Sequence, residues 1–168
     1  MPSTLTRVVN VYRTGSTDIT TPPNGWVGSK LGTKGDLVTL DSNGRVDQAV
    51  AAGSNVGANT RLALLNDAVA STVAQGASVG IEKLDDDTLI ELPVTSGDSA
   101  ISTPSTTLPT LIGKQYEIRR VTTSGIYTVD TSATTNVKCE VVSLGTVFPT
   151  SDNFSTVLVK ILSAARIN

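Results

Sequence analysis

The stretch GDLVTLDSNGRV, residues 35–46, reads as a whole β-hairpin: Leu37, Val38 and Leu40 favour a strand, Asp41-Ser42-Asn43-Gly44 is a tight turn, and Val46 begins the return. Asn-Gly between β-forming runs marks a hairpin because both residues accept positive φ at little cost. The device recurs. In SVGIEKLDDDTLIELPV, residues 78–94, Val79, Ile81 and Leu84 are followed by Leu89, Ile90 and Leu92 across the acidic turn Asp85-Asp86-Asp87, which predicts a second hairpin. Four more strands are expected at 111–121, 126–132, 136–144 and 155–162, the first two joined by TTSG. Short strands at this spacing predict an all-β barrel or sandwich, and no repeat is sharp enough for a solenoid.

Composition agrees. The chain holds 17 Ser and 25 Thr among 168 residues, which favours strands and turns because Thr fits a pleated surface while both hydroxyls compete with helical hydrogen bonds. Aromatic residues are only 4%, so the core is one of Val, Leu, Ile and Ala. The length suits one domain, or two small lobes sharing a core. Residues 1–24 read as an N-terminal arm and linker, 25–94 as a first β lobe, 95–110 as a Ser/Thr/Pro-rich linker or exposed loop, and 111–168 as a second β lobe. TRLALLN, residues 60–66, is a buried strand; 47–59 is a strand end followed by loop; any short helix is expected within 67–76.

The chain is poor in catalytic raw material. It has no histidine, so the commonest general base and the commonest metal ligand are missing, along with every Ser-His-Asp or Cys-His arrangement. Cys139 alone makes neither a disulfide nor a zinc site, and reads as a buried strand thiol. The glycines of GWVGSKLGTKG fit neither phosphate-binding spacing. Glu82, Asp85, Asp86, Asp87 and Glu91 lie in or beside a predicted exposed turn, where solvated charge is the default and weak Ca²⁺ binding the alternative. We therefore expect no catalytic, cofactor or metal site. A formal net charge of −2 offers no basic excess for nucleic acid, and no apolar run is long enough for a membrane span or a leader, which fits synthesis in a cytoplasm.

Three features point outward. Val8, Val9, Val11 and Tyr12 belong to a β-prone stretch separated from the body by Pro22-Pro23: either an edge strand of the main sheet, or an arm, mobile in isolation, that adds a strand to another chain. Trp26, the only tryptophan, reads as a core or lobe-joint anchor, with an interface role as the alternative. Arg119 and Arg120 read as a surface pair, or as one arginine facing solvent and one facing a carboxylate of another subunit.

KGDLVTLDSNGRVDQAVAAG (34–53), RLALLNDAVA (61–70), LIGKQYEIRRVTTSGIYTVDTS (111–132) and TVLVKIL (156–162) together resemble the small β-rich decoration, or cement, proteins that coat tailed-bacteriophage capsids. The resemblance implies an all-β, β-tulip-like barrel or sandwich without catalysis. It also implies a homo-oligomer, a trimer or alternatively a dimer, on the virion surface, bridging neighbouring copies of the major capsid protein. An extended N-terminal arm adding a strand to a capsid subunit would then be the role of Val8, Val9, Val11 and Tyr12. A head-fibre or tail-fibre module binding a host receptor shares this composition. A carboxylate-based enzyme is the rival of another class, disfavoured because so few aromatics offer little platform for sugars or bases.

Overall fold

The computed structural model describes residues 11–12, 18–101, 104–146 and 155–168. The chain is all-β, as the hairpin spacing predicts. Its strands are β1 (Val11–Tyr12), β2 (Ile19–Thr20), β3 (Leu37–Leu40), β4 (Val46–Gln48), β5 (Ser54–Asn55), β6 (Ala63–Leu65), β7 (Ile81–Glu82), β8 (Leu89–Ser96), β9 (Ser99–Ala100), β10 (Gln115–Arg120), β11 (Tyr127–Asp130), β12 (Cys139–Leu144) and β13 (Thr156–Ile161). One short helix, α1 (Pro104–Thr107), runs into a 3-10 turn at Leu108–Leu111.

Two sheets result. Strands β8, β11, β10, β12 and β13 follow one another around a barrel that closes where β13 pairs with β8; only the β8–β11 contact is parallel. Closure leaves the barrel without a free edge. The second sheet is antiparallel, in the order β2-β7-β6-β3-β4. Its β3–β4 hairpin forms where the sequence places it, pairing Leu40 with Val46 and Val38 with Gln48. Gly44 alone takes a positive φ, of 69°, and its N–H donates to the Asp41 carbonyl, so a one-residue bulge rather than a two-residue mirror turn closes the loop.

Successive side chains of the small sheet face opposite ways and both faces are buried. Leu37 and Leu64 join the barrel core, beside Ile118, Val129 and Val157. Val38, Ala63, Leu65 and Ile81 point to the other side, where Trp26, Val46, Val69 and Val79 complete a second cluster. The small sheet thus contributes one face to each of two apolar clusters.

Three expectations need correction. Residues 78–94 do not form a hairpin: β7 pairs with β6 and β2, whereas β8 pairs with β13, β11 and β1, so Asp85–Asp87 carries the chain from one sheet to the other. No helix forms over 67–76, which is loop and turn; the helix is α1, inside the stretch read as a linker. Ile101, Pro104, Leu108 and Leu111 are buried there, and Ile101, Leu108 and Leu111 join the barrel core.

Candidate partner-binding edge

Both sheets end on the same N-terminal segment. β1 pairs with β8 through Val11–Ile90 and Tyr12–Leu89, and β2 pairs with β7 through Ile19–Glu82 and Thr20–Ile81. Stepping from the second ladder to the first advances seven residues on one strand and retreats seven on the other, so the two ladders have the same antiparallel register. The Lys83 N–H donates to the Asp18 carbonyl at 2.9 Å in that register, and the two side chains approach to 4.0 Å. Val11 packs on the barrel core, Pro22 is buried, and a Gly25 N–H to Pro22 carbonyl turn ends the strap.

The outer side of this strap is the open edge of the molecule. Among the described residues, no strand pairs with β1 or β2 on the side away from β8 and β7. Ile19 is 50% exposed on that edge, with its side chain against Gly80. A cleft of about 240 Å³, lined by Val11, Lys34, Gly35, Leu64, Leu65 and Glu82, opens between barrel and sheet beside the strap. An unpaired edge of this kind offers main-chain donors and acceptors to an extended segment of another chain. Val8 and Val9 lie outside the described residues, as does the side chain of Tyr12; Val11 and Tyr12 take edge positions in their own barrel sheet.

No family model matches the chain, and neither a curated protein nor a solved structure matches it.

The other outward-pointing candidates are engaged inside the molecule. Trp26 is fully buried and donates its indole N–H to the Lys30 carbonyl at 3.2 Å, so it anchors the second core and shows no surface to a partner. Arg119 reaches a carboxylate of its own chain, Asp98 at 2.8 Å, and also Asn55 Oδ1 at 2.8 Å. Arg120 bonds Gln48 Oε1 at 2.7 Å and the Gly125 carbonyl at 3.1 Å, and lies over the Tyr127 ring. Both arginines tie β10 to the 48–55 segment. The Arg119–Asp98 contact holds the Asp98 carboxyl far below the usual range, with help from the Thr122 hydroxyl.

The acidic turn is likewise answered from within. Asp86 pairs with Arg166 at 2.8 Å and Lys160 at 3.1 Å, which lowers its carboxyl, while Asp85 accepts from the Asp87 N–H and the Thr88 hydroxyl. Glu91 is not on the turn at all. It is fully buried in β8, where it accepts from the Thr146 N–H at 2.6 Å and from the hydroxyls of Thr146 and Thr156. Alternation along β8 explains this, since Ile90, Leu92 and Val94 take the core side. Cys139 is buried in the barrel, and desolvation pushes its thiol up to about 12.

Sequence reasoning missed the largest polar node. Asn55 donates its amide to Glu117 at 2.9 Å and to Asp130 at 3.1 Å, two carboxylates that are 5% and 2% exposed. Glu117 also accepts from the Thr135 and Asn136 N–H groups, and Asp130 from Gly97 and Ser132. Burial pushes the Asp130 carboxyl up, but these hydrogen bonds outweigh it and leave the group below its ordinary value. Every oxygen has a donor, so the node is a structural lock on β5.

Proposed function

We propose that this chain is a non-enzymatic capsid decoration protein that grips the major capsid protein through the N-terminal strap and stabilises the phage head. The observation that supports it most is the strap: one main-chain edge, in one register, ends both sheets and carries the half-exposed Ile19. An extended segment of a capsid subunit adding to this edge would touch both layers at once. Main-chain hydrogen bonds would give affinity and Ile19 would favour one register. A chain without histidine and with a closed barrel whose buried charges are hydrogen-bonded suits a clamp. Assembly as a trimer, or alternatively a dimer, belongs to the same reading. Ile112 and Val142, 46% and 40% exposed and brought near by the Gly113 N–H to Val141 carbonyl bond, are apolar surface for it. Repetition over a lattice multiplies weak contacts into a firm hold.

The test is co-sedimentation of the full chain with purified empty capsids, beside an Ile19→Lys variant. Lysine opposite Glu82 is compatible with the fold but guards an edge against strand addition. The expected result is capture of the wild type and capture weakened about tenfold in the variant, with an unchanged thermal midpoint. Capture that ignores the substitution moves the grip elsewhere, and binding to host cells but not to capsids replaces the reading with that of a receptor-binding fibre module.

A further inference from the structure

Three loops of the small sheet meet in an open polar groove of about 700 Å³, lined by Pro23, Asn24, Asn43, Arg45, Gln75 and Gly76. Its walls are fixed by main chain. Trp26 exchanges hydrogen bonds with Ala77 and Gly76, each of 2.8 Å, Val46 donates to Gly25 at 2.8 Å, and the Asn24 amide donates to the Asn43 carbonyl at 2.6 Å. Gly25 and Gly76 take positive φ, of 62° and 83°, and a Cβ on Gly25 would meet the Ala77 carbonyl at 2.5 Å. Only glycine lets these loops approach so closely.

Several polar groups on this frame have no partner among the described residues. Among the described residues, the carboxamides of Asn43 and Gln75 make no hydrogen bond, and Asn24 Oδ1 accepts none. Arg45 spends Nε and Nη2 on Asp41, at 2.8 and 2.7 Å, which leaves Nη1. We propose that this groove binds a neutral saccharide unit.

Each carboxamide presents a donor beside an acceptor, the pattern that two neighbouring hydroxyl groups answer. The charge of Arg45 is cancelled by Asp41, so an anion gains no net attraction. A peptide strand finds no edge, because the main chain of Val46 is already bonded to Gly25 and Val27. No aromatic ring lines the groove, so recognition rests on hydrogen bonds exchanged with water, each of small net worth; affinity per copy is millimolar and rises when copies are arrayed. The inference is independent of capsid binding.

The experiment is an amide-shift titration of the isotopically labelled full chain with glucose, galactose, N-acetylglucosamine and their disaccharides. At least one is expected to move the signals of Asn24, Asn43, Arg45, Gln75 and Gly76 together at millimolar concentration, while the barrel signals around Cys139 stay still. An Asn43→Ala/Gln75→Ala double variant with the wild-type thermal midpoint is expected to bind about tenfold more weakly. The proposal is overturned if no sugar moves these signals, if the double variant responds like the wild type, or if inorganic phosphate moves them and neutral sugars do not.

Discussion

The barrel and the small sheet solve the same problem with different chemistry. The barrel has long staves, closes on itself, and fixes its register with buried charges: Glu91, Glu117, Asp130 and Lys138 are each 5% exposed or less, and every one is hydrogen-bonded. The small sheet has strands of two to four residues and holds its loops with left-handed glycines and one fully buried tryptophan. A closed barrel can place a carboxylate between strands because neighbours on both sides supply donors. An open sheet of short strands lacks those neighbours, so apolar packing has to specify its layer. The difference also divides the surface: among the described residues, the five closed staves leave the barrel sheet only two-residue edge strands, β1 among them, whereas the small sheet contributes the Ile19 edge and the loop groove.

Removing the tryptophan tests this contrast most severely. Trp26→Ala should cost about 3–5 kcal/mol, because nothing nearby can refill the space between Val38, Leu65 and Ile81. At about 2–4 °C per kcal/mol, the midpoint should fall by roughly 6–20 °C. Whether both layers fall together is a separate question with a direct readout in the wild type. Trp26 fluorescence reports the small sheet, and alkylation of Cys139, whose thiol is buried and its pKa raised to about 12, reports barrel opening. Because Leu37 and Leu64 belong to the barrel core, the two transitions should coincide. A tryptophan transition at lower temperature would show that the layers are separate cooperative units.

Much of the local structure was legible before any coordinates. The 35–46 hairpin and the four strands beyond residue 110 rest on alternation and turn chemistry, which are properties of neighbouring residues. What was not legible depends on distant residues. Ile81 and Leu89 look like the two arms of a hairpin, yet their partners lie in different sheets. The helix at 104–107 left a trace, since Ile101, Pro104, Leu108 and Leu111 keep helical spacing, but the surrounding Ser, Thr and Pro argue for a loop. Asn55 gave no signal at all: its carboxylates lie 62 and 75 residues away. The strap was read only in part. Its β propensity is visible in the sequence, but the shared register with 81–90 is a property of the fold.

Asn55 also gives the sharpest test of the barrel's charged lock. Asn55→Asp removes the donor that Glu117 and Asp130 share and adds a third carboxylate to two buried ones. Arg119 keeps its contact and offsets part of the loss. A cost of about 2–3 kcal/mol at neutral pH is expected. Like charges raise the new carboxyl in the folded state, so the folded variant binds more protons than the unfolded one and regains stability as pH falls from about 7 to about 5. Urea unfolding at the two pH values measures this directly. A deficit that does not shrink on acidification would place the cost in lost geometry rather than in charge.

The smallest effect belongs to Asp98, where the barrel's electrostatics reach solvent. Its carboxylate accepts from Arg119 Nε at 2.8 Å, from the Thr122 hydroxyl at 2.6 Å and from the Thr122 N–H at 3.2 Å, joining the β8–β9 turn to β10 and the turn after it. Arg119 first, and Thr122 after it, hold the carboxyl well below its ordinary range. A group with a depressed folded pKa contributes stability that is fully present above its unfolded pKa of about 4 and is lost as pH falls toward the folded value. With 38% of the side chain exposed, solvent screens most of that gain, so Asp98→Asn should lower the midpoint at neutral pH by only roughly 1–2 °C. Thermal melts of both proteins at pH 7 and pH 3 should show the gap narrowing in acid, as the carboxyl of the unfolded wild type takes up its proton while the folded one stays ionised. A gap that stays constant would mean that Asp98 holds Arg119 and Thr122 through hydrogen-bond geometry that the neutral side chain cannot copy. The barrel's use of charge would then be confined to its buried groups, Glu91, Glu117, Asp130 and Lys138.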